Sequence, residues 1–122
     1  MKKTILIIED DPLFRKLLCT WLESDNYQIF EADDGVAGLE LYAKNKPDLI
    51  ITDIVMPEKE GIEVIQKIRE DDPTIPIIAM SAGGSRHTES YLRYSAKFGA
   101  NVTLEKPFKK KELLKAMNEL LS

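Results

Sequence analysis

Five short apolar runs, each followed by a longer stretch of helical spacing, leave this chain few folds to choose from. The runs are Ile5–Ile8, Tyr27–Glu31, Leu49–Thr52, Pro76–Met80 and Asn101–Leu104. Three of them are almost continuously apolar, as strands covered on both faces of a parallel sheet require. The stretches between carry the 3.6-residue period. Leu13, Leu17 and Trp21, flanked by Phe14, Leu18 and Leu22, form one stripe, and Asp11-Pro12 supplies its capping side chain and first-turn proline. Val36, Leu39 and Ala43 mark a second helix, stopped by Asn45-Lys46-Pro47. Ile62, Ile65 and Ile68 mark a third, ending before Asp72-Pro73. A fourth covers Glu89–Phe98 up to Gly99, and Leu113, Met117, Leu120 and Leu121 mark the last. The order βαβαβαβαβα predicts an α/β fold, a parallel sheet with helices on both faces.

Length and charge narrow the function. The 122 residues suit one domain with its own core, and no repeat, linker or low-complexity tract divides them. Lys and Arg total 17 against 21 Asp and Glu, so the net charge is −4 and there is no basic footprint for a phosphate backbone. Direct nucleic-acid binding is therefore not expected. A single cysteine excludes an internal disulfide and suits a reducing compartment. Met1-Lys2-Lys3 before Ile5–Ile8 imitates a secretory signal, but the apolar run is too short and meets Glu9-Asp10-Asp11. With no bilayer-spanning stretch either, the expected location is the cytoplasm, without membrane insertion.

Parallel sheets bind ligands beyond the carboxyl ends of their strands. At those ends stand Glu9-Asp10-Asp11, Thr52-Asp53, Ser81-Ala82 and Glu105-Lys106-Pro107. Three carboxylates, a hydroxyl and an ammonium should converge on one edge. At ~5 Å and an effective dielectric near 20, each carboxylate pair repels by roughly 3 kcal/mol. Lys106 offsets part of this, and a hard divalent cation would offset more. Magnesium suits such a set, because it takes one or two carboxylates and leaves room for a phosphate oxygen. Asp53, at the end of a buried strand, is the candidate nucleophile for an acyl phosphate. Asp10 would hold the metal beside it, and Glu9 would act through a metal-bound water. Lys106 and Ser81 would meet phosphoryl oxygens.

Ile7-Ile8-Glu9-Asp10-Asp11-Pro12, Asp53-Ile54-Val55-Met56-Pro57 with Gly61, Ser81-Ala82 and Lys106-Pro107-Phe108 occur in that order, each at a predicted strand end. In these motifs the chain resembles the receiver (CheY-like) domain of bacterial two-component response regulators over essentially its whole length, 1–122. The resemblance implies a (βα)5 doubly wound, flavodoxin-like sheet of five parallel strands in the order 2-1-3-4-5. It implies a phosphorylated switch rather than an enzyme, beyond assistance to its own magnesium-dependent phosphorylation and dephosphorylation. Asp53 would take a phosphoryl group from a histidine kinase or histidine phosphotransfer protein. Mg²⁺ would be held by Asp10, Asp53 and the backbone carbonyl of Val55, with Ser81 and Lys106 on the phosphoryl oxygens. The output surface would lie on the Glu89–Phe98 helix, the last strand and the last helix, in a monomer or a phosphorylation-linked dimer.

Three positions depart from the family pattern. Thr103 stands where an aromatic switch residue is common, Gly83–Thr88 lengthens the loop after the fourth strand, and Glu9 replaces a frequent aspartate. Glu9 is a mild change, since its longer side chain still reaches through water, but Thr103 and the loop support an alternative, a receiver-like interaction module that works without phosphorylation. The Asp10, Asp53, Ser81 and Lys106 set argues against it, since a disused site has no reason to keep mutually repelling charges. A haloacid-dehalogenase phosphatase would need an acid where Val55 stands, and an FMN site would be repelled by Glu9-Asp10-Asp11. No P-loop motif is present. His87 reads as a surface loop residue, Cys19 as packing, and Lys109-Lys110-Lys111 as a solvated helix start. The chain ends soon after Leu121 with no effector region following, which favours a stand-alone regulator over an excised one.

Overall fold

A computed structural model of the protein describes residues 2–54, 60–82 and 96–122. The five expected strands are β1 (Thr4–Ile8), β2 (Gln28–Ala32), β3 (Leu49–Asp53), β4 (Ile77–Ala82) and β5 (Val102–Lys106). They pair in parallel as β2-β1-β3-β4-β5, the order implied by the resemblance. Four helices are described: α1 (Pro12–Glu23), α2 (Gly35–Asn45), α3 (Glu60–Asp71) and α4 (Lys110–Leu121). The Glu89–Phe98 helix and the Gly83–Thr88 loop fall largely or wholly outside the described residues, as does His87.

Strand alternation divides the core in two. Leu6, Ile8, Ile50, Ile77 and Ala79 face α2 and α3. Ile5, Ile7, Leu49, Ile51, Ile78 and Met80 face α1 and α4. β1, β3 and β4 are buried on both faces, which accounts for their unbroken apolar runs. At ~1.5–3 kcal/mol for each large apolar side chain buried, these two layers dominate the fold's stability.

Two strand ends extend past the apolar runs. Ser81 and Ala82 belong to β4, and Glu105 and Lys106 to β5, because the ladder continues with Ser81 opposite Glu105 and Ala82 opposite Lys106. Backbone pairing does not stop where the side chains turn polar. Two helices bury a different stripe from the expected one. In α1 the buried residues are Leu18, Cys19 and Leu22, while Leu13 is 80% and Leu17 42% exposed. In α2 they are Gly35, Gly38 and Tyr42, with Val36 66% exposed. Gly38 is chosen by contact, since a Cβ there would lie 2.5 Å from Ile8 Cδ1. α3 and α4 bury the expected faces, around Val64, Ile65 and Ile68 and around Leu113, Ala116 and Met117.

Capping matches the sequence. Asp11 Oδ1 accepts from the N–H groups of Leu13 (3.0 Å) and Phe14 (3.4 Å), with Pro12 at the first helical position. At the opposite end of the sheet Arg69 ties α3 to the chain entering β5. Its Nε donates to the Gly99 carbonyl (2.9 Å), and its Nη2 donates to Asn101 Oδ1 (2.8 Å). Asn101 Oδ1 also accepts from the Ile77 N–H (2.8 Å), so one side chain fixes where β4 and β5 begin. Their register sets where Lys106 emerges.

Candidate functional site

Period-two alternation carries three polar residues onto one face. Ile5, Ile7, then Glu9; Leu49, Ile51, then Asp53; and Val102, Leu104, then Lys106 continue columns that pack towards α1 and α4. Each is the first charged residue at the top of its column. The Glu9 N–H donates to the Ala32 carbonyl (3.0 Å), which extends the β1 ladder one residue. Glu9 is fully buried and Asp53 nearly so.

Lys106 closes the cluster. Its Nζ donates to Asp53 Oδ2 at 2.8 Å and to Glu9 Oε1, and its side chain is only 16% exposed. The other Glu9 oxygen accepts from the Asp11 N–H (3.2 Å). Carboxylate oxygens of Glu9, Asp10 and Asp53 lie within 4.8 Å of one another, with Asp10 open to solvent. The expected convergence of these four residues is therefore present. An all-oxygen group with one exposed member is the donor chemistry that hard divalent cations favour.

Ser81 lies on the opposite column, after Ile77 and Ala79, one residue beyond Asp53's ladder partner Met80. It is fully buried, and its Oγ has no hydrogen-bond partner among the described residues. A buried unpaired hydroxyl costs about 1–3 kcal/mol, which an incoming oxygen acceptor would recover. Val55, expected to offer its carbonyl, lies outside the described residues, together with Met56 and Pro57. Thr103 is half-buried in β5 opposite Ala79.

Burial is the largest influence on Glu9 and raises its carboxyl, the Lys106 hydrogen bond opposes it, and the charge of Asp53 adds to the rise. The result is a carboxyl pushed up from 4.5 to about 7. Burial alone would lower the Lys106 ammonium, but its bonds to Asp53 and Glu9 outweigh that and hold it above its usual value. The Glu9 shift has a consequence for stability. Between 4.5 and about 7 the folded protein keeps a proton that the unfolded chain has released. The associated stabilisation is complete below 4.5 and lost as pH rises through about 7. Without divalent cations, the gap in unfolding free energy between wild type and Glu9→Gln should therefore shift by on the order of 3 kcal/mol between pH 5 and 8. Urea denaturation at both pH values measures it, and a pH-independent gap would show that Glu9 does not titrate in this range.

Two residues at the site escaped the sequence reading of its chemistry. Arg15 Nη1 donates to the Glu9 carbonyl (2.7 Å), and its Nε pairs with Glu31 on β2 (3.2 Å). Phe14 lies beneath Lys106, with Nζ 4.5 Å from its ring centroid. Both lie in the first turn of α1. The signal available was positional: with Asp11 and Pro12 fixing the helix start, residues 14 and 15 must sit over the tip of β1.

The response regulator receiver domain family matches residues 5–118. The chain belongs to that family: it is a receiver module of two-component phosphoryl signalling rather than a conventional enzyme. It is similar to the chemotaxis protein CheY of Halobacterium salinarum, 34% identical over all of this chain and 99% of that protein. It is also 36% identical to the response regulator MprA of a Mycobacterium species, over 99% of this chain but only 51% of that regulator. A receiver domain structure from Clostridium thermocellum superposes with a TM-score of 0.89 at 26% identity, covering 98% of this chain and 94% of that one. Among the described residues no helix is long and apolar enough to cross a membrane.

Proposed function

We propose that Asp53 is the phosphoacceptor of this receiver, working as one unit over residues 1–122. A histidine kinase or histidine phosphotransfer protein would be the physiological donor, in the cytoplasm. An oxygen of the Asp53 carboxylate attacks phosphorus, the bond from phosphorus to the donor breaks, and an acyl phosphate forms on Asp53. The observation that carries this reading is the Lys106 ammonium 2.8 Å from a nearly buried Asp53 carboxylate. Lys106 holds positive charge where the transferred oxygens arrive, and the Ser81 hydroxyl, without a partner among the described residues, is available to donate to one of them.

The Glu9, Asp10 and Asp53 carboxylates fit a Mg²⁺ ion, which Asp10 and Asp53 would hold, with Glu9 acting through water; the receiver resemblance adds the carbonyl of Val55, outside the described residues, as a further ligand. When bound, that ion supplies neutralisation of charge on the phosphoryl oxygens. Phosphorylation then redistributes the Lys106 contacts and engages the Ser81 hydroxyl, and the altered surface selects a downstream protein.

Incubation with acetyl phosphate and Mg²⁺, followed by intact mass, tests the assignment. Wild type should gain one phosphoryl group; Asp53→Asn, or wild type with EDTA, should gain none. A gain that survives in Asp53→Asn moves the acceptor elsewhere, and no gain in wild type favours the phosphorylation-independent module.

A further inference from the structure

Lys106 has a third neighbour besides its two carboxylates. Its ammonium stands over the Phe14 ring, 4.5 Å from the centroid. That ring is braced edge-on by Phe108, with centroids 5.6 Å apart and planes at 88°. Trp21 backs Phe108 in turn, at 6.3 Å. The support is local on both sides: Asp11 and Pro12 fix the turn that presents Phe14, and Phe108 follows Lys106 by two residues. An aliphatic residue would fill the same space, but only an aromatic face attracts a cation.

We propose that Phe14 is a positioning residue for Lys106, keeping the ammonium at the rim of the acid cluster while the carboxylates are engaged elsewhere. This rests on the assignment of Asp53 and Lys106 made above. Glu9 and Asp53, the two acceptors of Lys106, belong to the same oxygen group that would hold a divalent cation. Carboxylates shared with a cation attract the lysine less. The ring offers no oxygen to a metal, so its hold on the ammonium is unaffected, and it leaves the N–H groups free to meet an incoming phosphoryl oxygen. Phe14 therefore matters most in the cation-loaded protein, when the lysine would otherwise swing towards solvent.

Two substitutions separate the aromatic face from mere bulk. Phe14→Leu keeps an apolar filler, and Phe14→Tyr keeps the ring. In the metal-free protein, ¹H–¹³C NMR should place the Lys106 ε-methylene upfield through the ring current in wild type and Phe14→Tyr, and at an ordinary position in Phe14→Leu. At saturating Mg²⁺, Phe14→Leu should be phosphorylated by acetyl phosphate about 3- to 10-fold more slowly, with Phe14→Tyr within about twofold of wild type. Mg²⁺ binding should tighten in Phe14→Leu by up to the same factor, because an ammonium released from the ring no longer competes with the ion, and should stay within about twofold of wild type in Phe14→Tyr. A Phe14→Leu rate equal to wild type, or a Phe14→Tyr rate as low as Phe14→Leu, overturns the proposal. So does the absence of the upfield shift in wild type. Failure of wild type to take phosphate on Asp53 would instead overturn the assignment beneath it, while the NMR comparison still decides whether the ring holds the lysine.

Discussion

Lys106→Met should slow phosphorylation of Asp53 by about 100-fold while tightening divalent-cation binding about tenfold. The two effects point in opposite directions because the ammonium has two relations to the carboxylates. In the cation-free protein it is their counter-ion, donating to both Asp53 and Glu9. It therefore competes with any metal for the same oxygens, and its removal leaves three crowded carboxylates with a stronger field for a divalent ion. During transfer it is a fixed positive charge beside the acceptor oxygen, and loss of one such preorganised group typically costs ~10²–10³ in rate. Stability should follow the first relation. The cation-free variant loses about 3 kcal/mol through a broken buried ion pair, and Mg²⁺ restores most of it. Calorimetric Mg²⁺ titration, phosphorylation rates with acetyl phosphate and urea midpoints with and without Mg²⁺ measure all three. If affinity and rate fell together, Lys106 would be a structural prop for the cluster rather than a participant in transfer.

The strand-end chemistry was legible because it depends on a period of two and on chain direction, both local properties. Glu9, Asp53 and Lys106 share a face because each continues an apolar column, and columns can be counted in the sequence. Strand order depends on pairing between distant segments, and it entered through the resemblance rather than through any local pattern. The angular setting of α1 was not legible. Leu13, Phe14, Leu17, Leu18, Trp21 and Leu22 make two adjacent apolar columns, so periodicity alone could not choose between them. Packing chose the Leu18–Leu22 column, leaving Leu13 in solvent and Phe14 under Lys106. In α2 the buried column runs through glycines, which carry no hydrophobic signal. Arg15 and Phe14 act across elements, on a main-chain carbonyl and an ammonium, and composition records neither contact.

Gly61→Ala should lower stability by about 2–3 kcal/mol, a fall of roughly 10 °C in Tm, and slow phosphorylation of Asp53 by about tenfold or more. Helix propensity predicts the opposite sign, since alanine is favoured over glycine inside a helix by ~1 kcal/mol. Contact decides the outcome. A Cβ at Gly61 would sit 2.5 Å from the carbonyl oxygen of Asp53 and 2.9 Å from the carbonyl carbon of Ile54, and would also overlap Ile54 Cα. All three are backbone atoms at the end of β3, so relief requires α3 to move away or the Asp53 peptide to shift. The Ile54 N–H is bonded to the Met80 carbonyl (2.9 Å), which resists the second movement. Movement of the peptide takes the reacting carboxylate out of register with Lys106, and movement of α3 removes the packing that holds Asp53 and Ile54 in place. Gly38→Ala is the matched control, because the atoms nearest its Cβ belong to the side chain of Ile8, at 2.5 and 2.8 Å, rather than to backbone. That variant should also lose stability, yet phosphorylate within about twofold of wild type, because Ile8 faces the α2–α3 layer and the acid cluster faces the other. Thermal unfolding of both variants, with phosphorylation rates measured well below their midpoints, separates general destabilisation from displacement of Asp53. Equal rates in the two would mean that the close approach of α3 to β3 has no part in aligning the acceptor.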